Sequence, residues 1–497
     1  MTDRRWVLVL AALAVASLVA VLVVVERGHT GRSDPVRARS LVVLPAIRLV
    51  PGSRFERSLA FSWVVSTDIQ VPHGVQVVAD FGMGPITFSR SRHVEEVGLG
   101  PSTLAMHAVG GRAVVRGLII SDARDGAALL LHRLAELHAR LRPDQFPEGA
   151  DRHDQLHIAS RNWTSGFWPG ALWQAAALIR GDGSGMFARW ALSATLAHLG
   201  GERTDTHDVG FEYGQSSLPA FQAECHGRAA ARRAALCSRL RRSVLAAADE
   251  LMALERGNAR AGTIPTDSQG PTADTIVDSM MNILILPWAS RVTGNPSYSR
   301  VASGHAREVA RALVRRDGST AQVVKFDRAS GRVLEIGTRQ GISAQSTWSR
   351  GQAWAVYGFS EAALELRDRG LLRVALRTAS YVQRHLPPGD IPRWDYDAPR
   401  GAPVDVSAGV ITSAGLFHLA SACAALPGVC GSTKAWKSLA RRMLAASLAR
   451  AYQRPPLGLL PDQVLNEHGR GCWCNGGELI FGLTYGLEAL KLARTTR

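Results

Sequence analysis

Apolar residues run without a charge from Trp6 to Val25. They then gather into short runs broken by Pro and Gly between about Leu41 and Ser121, and from about Asp122 they recur at three- and four-residue spacing to the C-terminus. Each pattern predicts a different element. The first run, as a helix, is about long enough to cross a ~30 Å hydrocarbon core. It ends in Val-Val-Val-Glu rather than in a small-residue cleavage site, which favours an uncleaved anchor over a signal peptide. Arg4 and Arg5 precede it and favour an inside N-terminus with the body outside, although Arg27, Arg32, Arg37 and Arg39 follow it. Residues 28–40, "GHTGRSDPVRARS", read as a tether. The Val- and Ile-rich runs after it ("SLVVLPAIRLV", "GVQVVADF", "RAVVRGLIIS") read as a small β-rich accessory region of no legible function.

The helical period starts at "DGAALLLHRLAELHARLR". It returns around residues 169–180, 186–199, 215–223, 228–255, 275–292, 297–315, 352–368, 371–386, 407–424, 434–452 and 477–494, and little of this part reads as strand. These helices can pair into six hairpins and close into an (α/α)6 barrel, with inner helices apolar all round and outer ones amphipathic. A generic solenoid or irregular bundle is the alternative, and no repeated signature supports a solenoid. The predicted organisation is an anchor at 1–27, a tether and β-rich region at 28–121, and a barrel at 122–497.

Hydrophobic content of 46% and charged content of 20% fit a globular chain with a large core. The formal charge is +16, carried almost wholly by arginine, since Lys325, Lys434, Lys437 and Lys491 are the only lysines. No basic run is interleaved with aromatics, and no zinc-finger, P-loop or Gly-rich dinucleotide signature occurs, so nucleic-acid binding is not expected. Cys225 and Cys237, like Cys423 and Cys430, lie close enough for local disulfides, with buried free thiols as the alternative. Cys472 and Cys474 form a C-x-C that with His468 alone is too sparse for zinc. Oligomeric state is not legible.

Chemistry-bearing residues gather at the starts of the predicted helices. "TIVDSMMNILILPWAS" sets Asp278 among apolar neighbours, where Met280 and Met281 raise its pKa unless it caps the helix or pairs with an arginine. "DTHDVGFEYGQSS" holds His207 and Asp208, a pair that is by itself an ordinary cap. Asp208 and Asp278 together form a candidate carboxylate pair of the kind glycosidases use. In "STWSRGQAWAVYG", Trp348 precedes Arg350 and Trp354, which lie four apart on one helix face. Arg grips a carboxylate and Trp stacks beside it, which reads as a site for an acidic sugar. "NWTSGFWPGALW" holds Trp163, Trp168 and Trp173, suited to stacking on sugar rings at the barrel mouth or to core packing.

These stretches, with "SGHAREVA", "TRQGISAQ", "IPRWDYDAP" and "YGLEAL", resemble the unsaturated glucuronyl hydrolases, glycoside hydrolase family 88, from about Asp122 to the C-terminus. The resemblance implies an (α/α)6 barrel with no metal or organic cofactor. It implies substrates that are lyase-generated oligosaccharides ending in a 4,5-unsaturated uronic acid, whose C4=C5 bond is hydrated. It assigns Asp278 as general acid/base and Asp208 as the second essential aspartate. Arg350, Trp354 and Thr338 match substrate-binding positions, and Trp163, Trp348, His207 and His305 match residues lining the site. The chain departs from the family pattern at Thr266, near the place of a stacking Trp, at Gln322, where a His is expected, and in the C-terminal loop "NEHGRGCWCNGG". The expected function is an unsaturated glucuronyl hydrolase acting on glycosaminoglycan-type fragments, its barrel extracytoplasmic and tethered to the membrane through residues 6–25, or secreted after cleavage. The alternatives are an unsaturated rhamnogalacturonyl hydrolase and a non-catalytic acidic-glycan-binding protein on the same barrel.

Overall fold

A computed structural model describes residues 41–59, 63–80, 85–98, 102–122, 126–159, 161–179, 182–453, 460–464 and 475–496. The apolar run 6–25, the tether 28–40 and the C-x-C at Cys472 and Cys474 lie outside the described residues.

The Val- and Ile-rich runs form eight strands, β1 (Leu41–Leu49) to β8 (Ala113–Asp122). They make two four-stranded antiparallel sheets, ordered β1-β8-β3-β6 and β2-β7-β4-β5, where β2 is Arg54–Leu59, β3 Trp63–Gln70, β4 Gln76–Asp80, β5 Pro85–Phe88, β6 Arg92–Gly98 and β7 Ser102–Val109. Leu49, Ile69 and Val115 from the first sheet meet Val77, Leu104 and Met106 from the second in a core separate from that of the barrel. Two faces that each alternate apolar with polar positions can bury their apolar halves only against each other, which makes a sandwich.

In the helical part, six inner segments touch one another in a closed ring: Phe167–Leu178, Val209–Gln215, Ser279–Asn282, Ser349–Glu365, Val406–Ala425 and Ile480–Thr495, the last contacting the first. Outer helices Asp182–His198, Ala234–Arg256, Arg369–His385 and Thr433–Gln453 each pack against the inner segment of their hairpin, Ser297–Leu313 packs on Ile285–Thr293, and Gly126–Arg140 packs against Ile480–Thr495. The division follows from composition. Val406–Ala425 is apolar or small on every side and is buried nearly throughout. Arg369–His385 buries Leu371, Leu372, Ala375, Ala379 and Val382 and turns its arginines outward. Among the described residues Val406–Ala425 is also the one helix long and apolar enough to cross a membrane. It is an inner helix of the ring, so its apolar surface is covered by other helices.

Three expectations change. The helix expected over 275–292 is three elements: a strand Thr272–Ile276, a single turn Ser279–Asn282 and a helix Ile285–Thr293. Pro287 explains the break, because a proline ring in a helix clashes with the carbonyl four residues earlier, here Ile283. Thr272–Ile276 instead pairs with Val323–Asp327, which pairs with Val333–Gly337. This part of the chain also holds strands that helical periodicity does not show, in two small sheets within the links that lead into inner helices. Finally, Trp168 and Trp173 lie within Phe167–Leu178 and pack in the core, where the Trp173 indole donates to Thr195 at 3.0 Å.

Cys225–Cys237 and Cys423–Cys430 are disulfides. Cys225, at the end of the helix Ser217–Glu224 that follows the inner segment Val209–Gln215, joins Cys237 on the outer helix Ala234–Arg256, and Cys423 on Val406–Ala425 joins Cys430 just before the outer helix Thr433–Gln453. Both therefore staple hairpin turns at the end of the barrel opposite the inner-helix N-termini.

Candidate active site

Asp208 and Asp278 occupy the same structural place, the residue just before an inner helix, Val209–Gln215 and Ser279–Asn282 respectively. An Asp there ordinarily caps the helix, and Asp405 and Asp368 do so, each accepting from two backbone N–H groups. Those two have extended backbones. Asp208 (φ −67°, ψ −11°) and Asp278 (φ −58°, ψ −27°) are already helical, and neither side chain caps. Their carboxyl groups stay available to the barrel mouth.

Close backbone contact brings these two helix starts together. A Cβ on Gly210 would lie 2.3 Å from the Asn282 carbonyl oxygen, so only glycine fits. The Asn282 side chain meanwhile accepts from the Phe211 N–H at 2.7 Å. On the other side of the Asp278 turn, Gly358 leaves room for Met280.

Asp278 neither caps nor pairs. Its Oδ1 is buried with no hydrogen-bond partner. Burial pushes its pKa up, the positive charge of Arg350 works against that, and the negative charge of Asp208 adds to it, leaving the carboxyl at about 7. Asp208 is better served. Thr206 Oγ1 lies 3.4 Å from its Oδ2, and His207 Nε2 lies 3.4 Å from its Oδ1. Burial pushes the His207 imidazole pKa down, and the negative charge of Asp208 opposes that.

Arg350 is 1% exposed and already has an internal partner. Its Nη1 sits 3.2 Å from Asp405 Oδ2 and donates to the Val464 carbonyl, while its guanidinium lies 4.5 Å over the Trp348 ring and 5.3 Å over Phe481. Asp405 therefore caps one inner helix with Oδ1 and holds Arg350 of another with Oδ2. Burial lowers the guanidinium pKa, and Asp405 and Asp278 oppose that. Trp354, expected to stack on sugar, is buried, with its ring in edge-on or tilted contact with Phe211, Phe481 and Tyr485. Trp163 is half-buried on the link before Phe167–Leu178 and packs on Phe167, Phe211 and Phe481. It keeps accessible surface at the mouth.

His305 is placed differently from expectation. It is fully buried behind the Asp278 turn, where Nδ1 accepts from Ile264 N–H at 2.9 Å and Nε2 pairs with Ser279 Oγ at 2.8 Å. With both ring nitrogens used and burial holding its pKa down at about 3, it is a strut for Ser279 rather than a lining residue. Thr338 is half-buried and donates to Gln322 Oε1 at 2.8 Å.

Several site residues escape sequence reasoning. The Gln322 side chain also accepts from the Arg339 and Gln340 N–H groups, at 2.7 and 2.8 Å, and its own carbonyl accepts from Val277 N–H at 2.9 Å. It ties the loop bearing Thr338 to the strand leading into Asp278. Arg339 pairs with Asp274 at 2.6 Å and its charge reaches both His207 and Asp278. Only Gln322 left a signal, as a departure from the family pattern. Among the described residues no set of His, Cys, Asp and Glu converges as a metal-ligand group.

No family model matches the chain. It is 34% identical over 288 residues to the unsaturated glucuronyl hydrolase of Bacillus sp. strain GL1, across 56% of this chain and 72% of that protein. The chain belongs to the unsaturated glucuronyl hydrolase family. It is also 28% identical over 369 residues to the unsaturated chondroitin disaccharide hydrolase of Streptococcus pneumoniae, covering 72% of this chain and 88% of that one. Its fold superposes on the crystal structure of an unsaturated glucuronyl hydrolase specific for heparin with a TM-score of 0.67, at 25% identity, over 75% of this chain and 97% of that one. Neighbours of this family share the six-hairpin barrel.

Proposed function

We propose that this family member releases the 4,5-unsaturated uronate from the non-reducing end of glycosaminoglycan-type oligosaccharides by hydrating its C4=C5 bond. Asp278 delivers a proton to C4, and water, guided by Asp208 or by the spent Asp278 carboxylate, adds to C5. The resulting hemiketal opens to a 5-ketone, and C1, left as a hemiacetal, expels the linked sugar with its hydroxyl and becomes an aldehyde. The observation that carries this is the Asp278 carboxyl, buried at Oδ1 without a partner and held at about 7. Protonating carbon needs an acid still protonated near neutrality in a dry place. Relatives named for chondroitin disaccharides and for heparin support the glycosaminoglycan class.

The division into 1–27, 28–121 and 122–497 belongs to the same reading. The run Trp6–Val25 favours a membrane-tethered, extracytoplasmic barrel, and local disulfides suit an oxidising compartment.

The test is loss of the ultraviolet absorbance of the conjugated double bond on a panel of unsaturated disaccharides from chondroitin, hyaluronan, heparin and rhamnogalacturonan. Loss with a glycosaminoglycan member is expected. Loss with rhamnogalacturonan alone supports the pectin-fragment reading, and binding without loss supports a non-catalytic glycan binder.

A further inference from the structure

The outer helix Arg369–His385 contains no Asp or Glu. Arg369, Arg373, Arg377 and Arg384 follow one another at spacings of four, four and seven, so they fall on one face, and all four are exposed. None forms an ion pair among the described residues. At 1.5 Å per residue the file is about 22 Å long. It does not serve helix stability. Like charges four apart repel, and Arg369, the first helical residue, sits at the positive end of the helix dipole.

The neighbouring outer helix Ser297–Leu313 adds exposed Arg300, while its Arg311 is already paired with Glu308 at 2.6 Å. Arg307 bonds to Asp368 at 2.8 Å and ties the two helices together, so the uncompensated charge lies on the Arg369–His385 file. The inner partner Ser349–Glu365 starts at the mouth, so Arg369–His385 runs back from the far end toward it. At its upper end Arg384 donates to the Asp317 carbonyl, and Arg315 of the same turn bonds to the Ala344 and Ser346 carbonyls in the link leading to the mouth.

We infer that this wall binds the chain of an acidic polysaccharide, laid along the arginine file toward the barrel mouth. Guanidinium forks match sulfate and carboxylate groups in planar, paired hydrogen bonds. A bilayer is the poorer fit, because none of the exposed large apolar side chains of the described residues, such as Val50, Ile86 and Leu334, lies on either of these two helices. Single-stranded nucleic acid lacks its stacking platform here, since Tyr381 of this helix is buried. The site is distinct from the carboxylate pair and does not rest on the proposed reaction, since an intact polysaccharide need carry no unsaturated end.

The test measures binding of intact heparin and chondroitin sulfate chains to the full-length protein. Two triple variants remove equal charge from two outer helices. One is Arg369→Gln/Arg373→Gln/Arg377→Gln. The control is Arg239→Gln/Arg242→Gln/Arg256→Gln on Ala234–Arg256, three arginines that are also exposed. The file variant should bind about tenfold more weakly or worse, with steep salt dependence in the parent. The control should bind as the parent does, neither variant should melt below the parent, and all three should share one rate on unsaturated disaccharide. Equal weakening in both variants would reduce the effect to net charge and overturn the inference. So would binding of phosphatidylserine vesicles, but not of either polysaccharide, that depends on the file. Inactivity on disaccharide with file-dependent binding intact would count against the proposed reaction alone.

Discussion

At the scale of single residues, four aspartates in one position type behave in two ways, and the backbone decides which. Asp368 and Asp405, in extended conformation, cap their helices; Asp208 and Asp278, already helical, cannot. The proposed role of Asp278 as proton donor carries a pH dependence. The reaction needs the protonated form, so kcat/KM should fall as pH rises through about 7. Asp208→Asn removes a negative charge that holds this pKa up, so the alkaline limb of the residual activity should move to lower pH. A shift to higher pH contradicts the assignment. Asp405→Asn leaves the buried Arg350 charge without its carboxylate, and about 3–5 kcal/mol of stability should be lost in chemical denaturation. A lone carboxylate among apolar residues was legible in the sequence at Asp278. The Arg350 partner was not, because it stands 55 residues away along the chain and only ring closure brings it near.

At the scale of elements, the segment carrying Asp278 shows what periodicity reads and what it misses. Its apolar residues fit one helix, but Pro287 forbids a helix through Ile283, and Thr272–Ile276 finds a strand partner beyond any local window. The result is a strand, a turn and a helix, with Asp278 at the joint. The long helices were easier to read, because each repeats one pattern over many residues. Contact between helix starts was not legible, since a glycine in a helical stretch carries no signal of its neighbour. Gly210→Ala tests that contact. Its methyl group meets the Asn282 carbonyl, so the turn bearing Asp278 must shift. About 1–3 kcal/mol of stability should be lost, and kcat should fall more than KM rises. Unchanged kinetics would mean that the spacing of the two aspartates is not set there.

At the scale of the whole molecule, the barrel separates chemistry from fastening. The carboxylates stand at the N-terminal ends of inner helices, and both disulfides close hairpins at the opposite end. Charge fastens three inner helices as well. His418 on Val406–Ala425 bonds to Glu361 on Ser349–Glu365 and, at 3.1 Å, to Glu488 on Ile480–Thr495, which also accepts from Tyr357 at 2.8 Å. Burial pushes the His418 imidazole down, but the two carboxylates outweigh it and raise the pKa to about 10. Its stabilisation is therefore complete below the unfolded value of about 6.5 and is lost as pH rises through about 10. Unfolding free energies measured across this window should fall for the parent. The gap between parent and His418→Gln should be largest near pH 6 and narrow toward pH 10, and a constant gap would contradict the assignment. The six-hairpin closure was legible because amphipathic and wholly apolar helices alternate, whereas the small sheets at the mouth were too short to leave a period.

The most direct single measurement compares the parent with Asp278→Asn, both shown to be folded, for loss of double-bond absorbance from an unsaturated chondroitin disaccharide at neutral pH. The account predicts steady loss with the parent and a rate lower by about 10²–10⁴-fold in the variant. Equal rates in the two would contradict Asp278 as the acid.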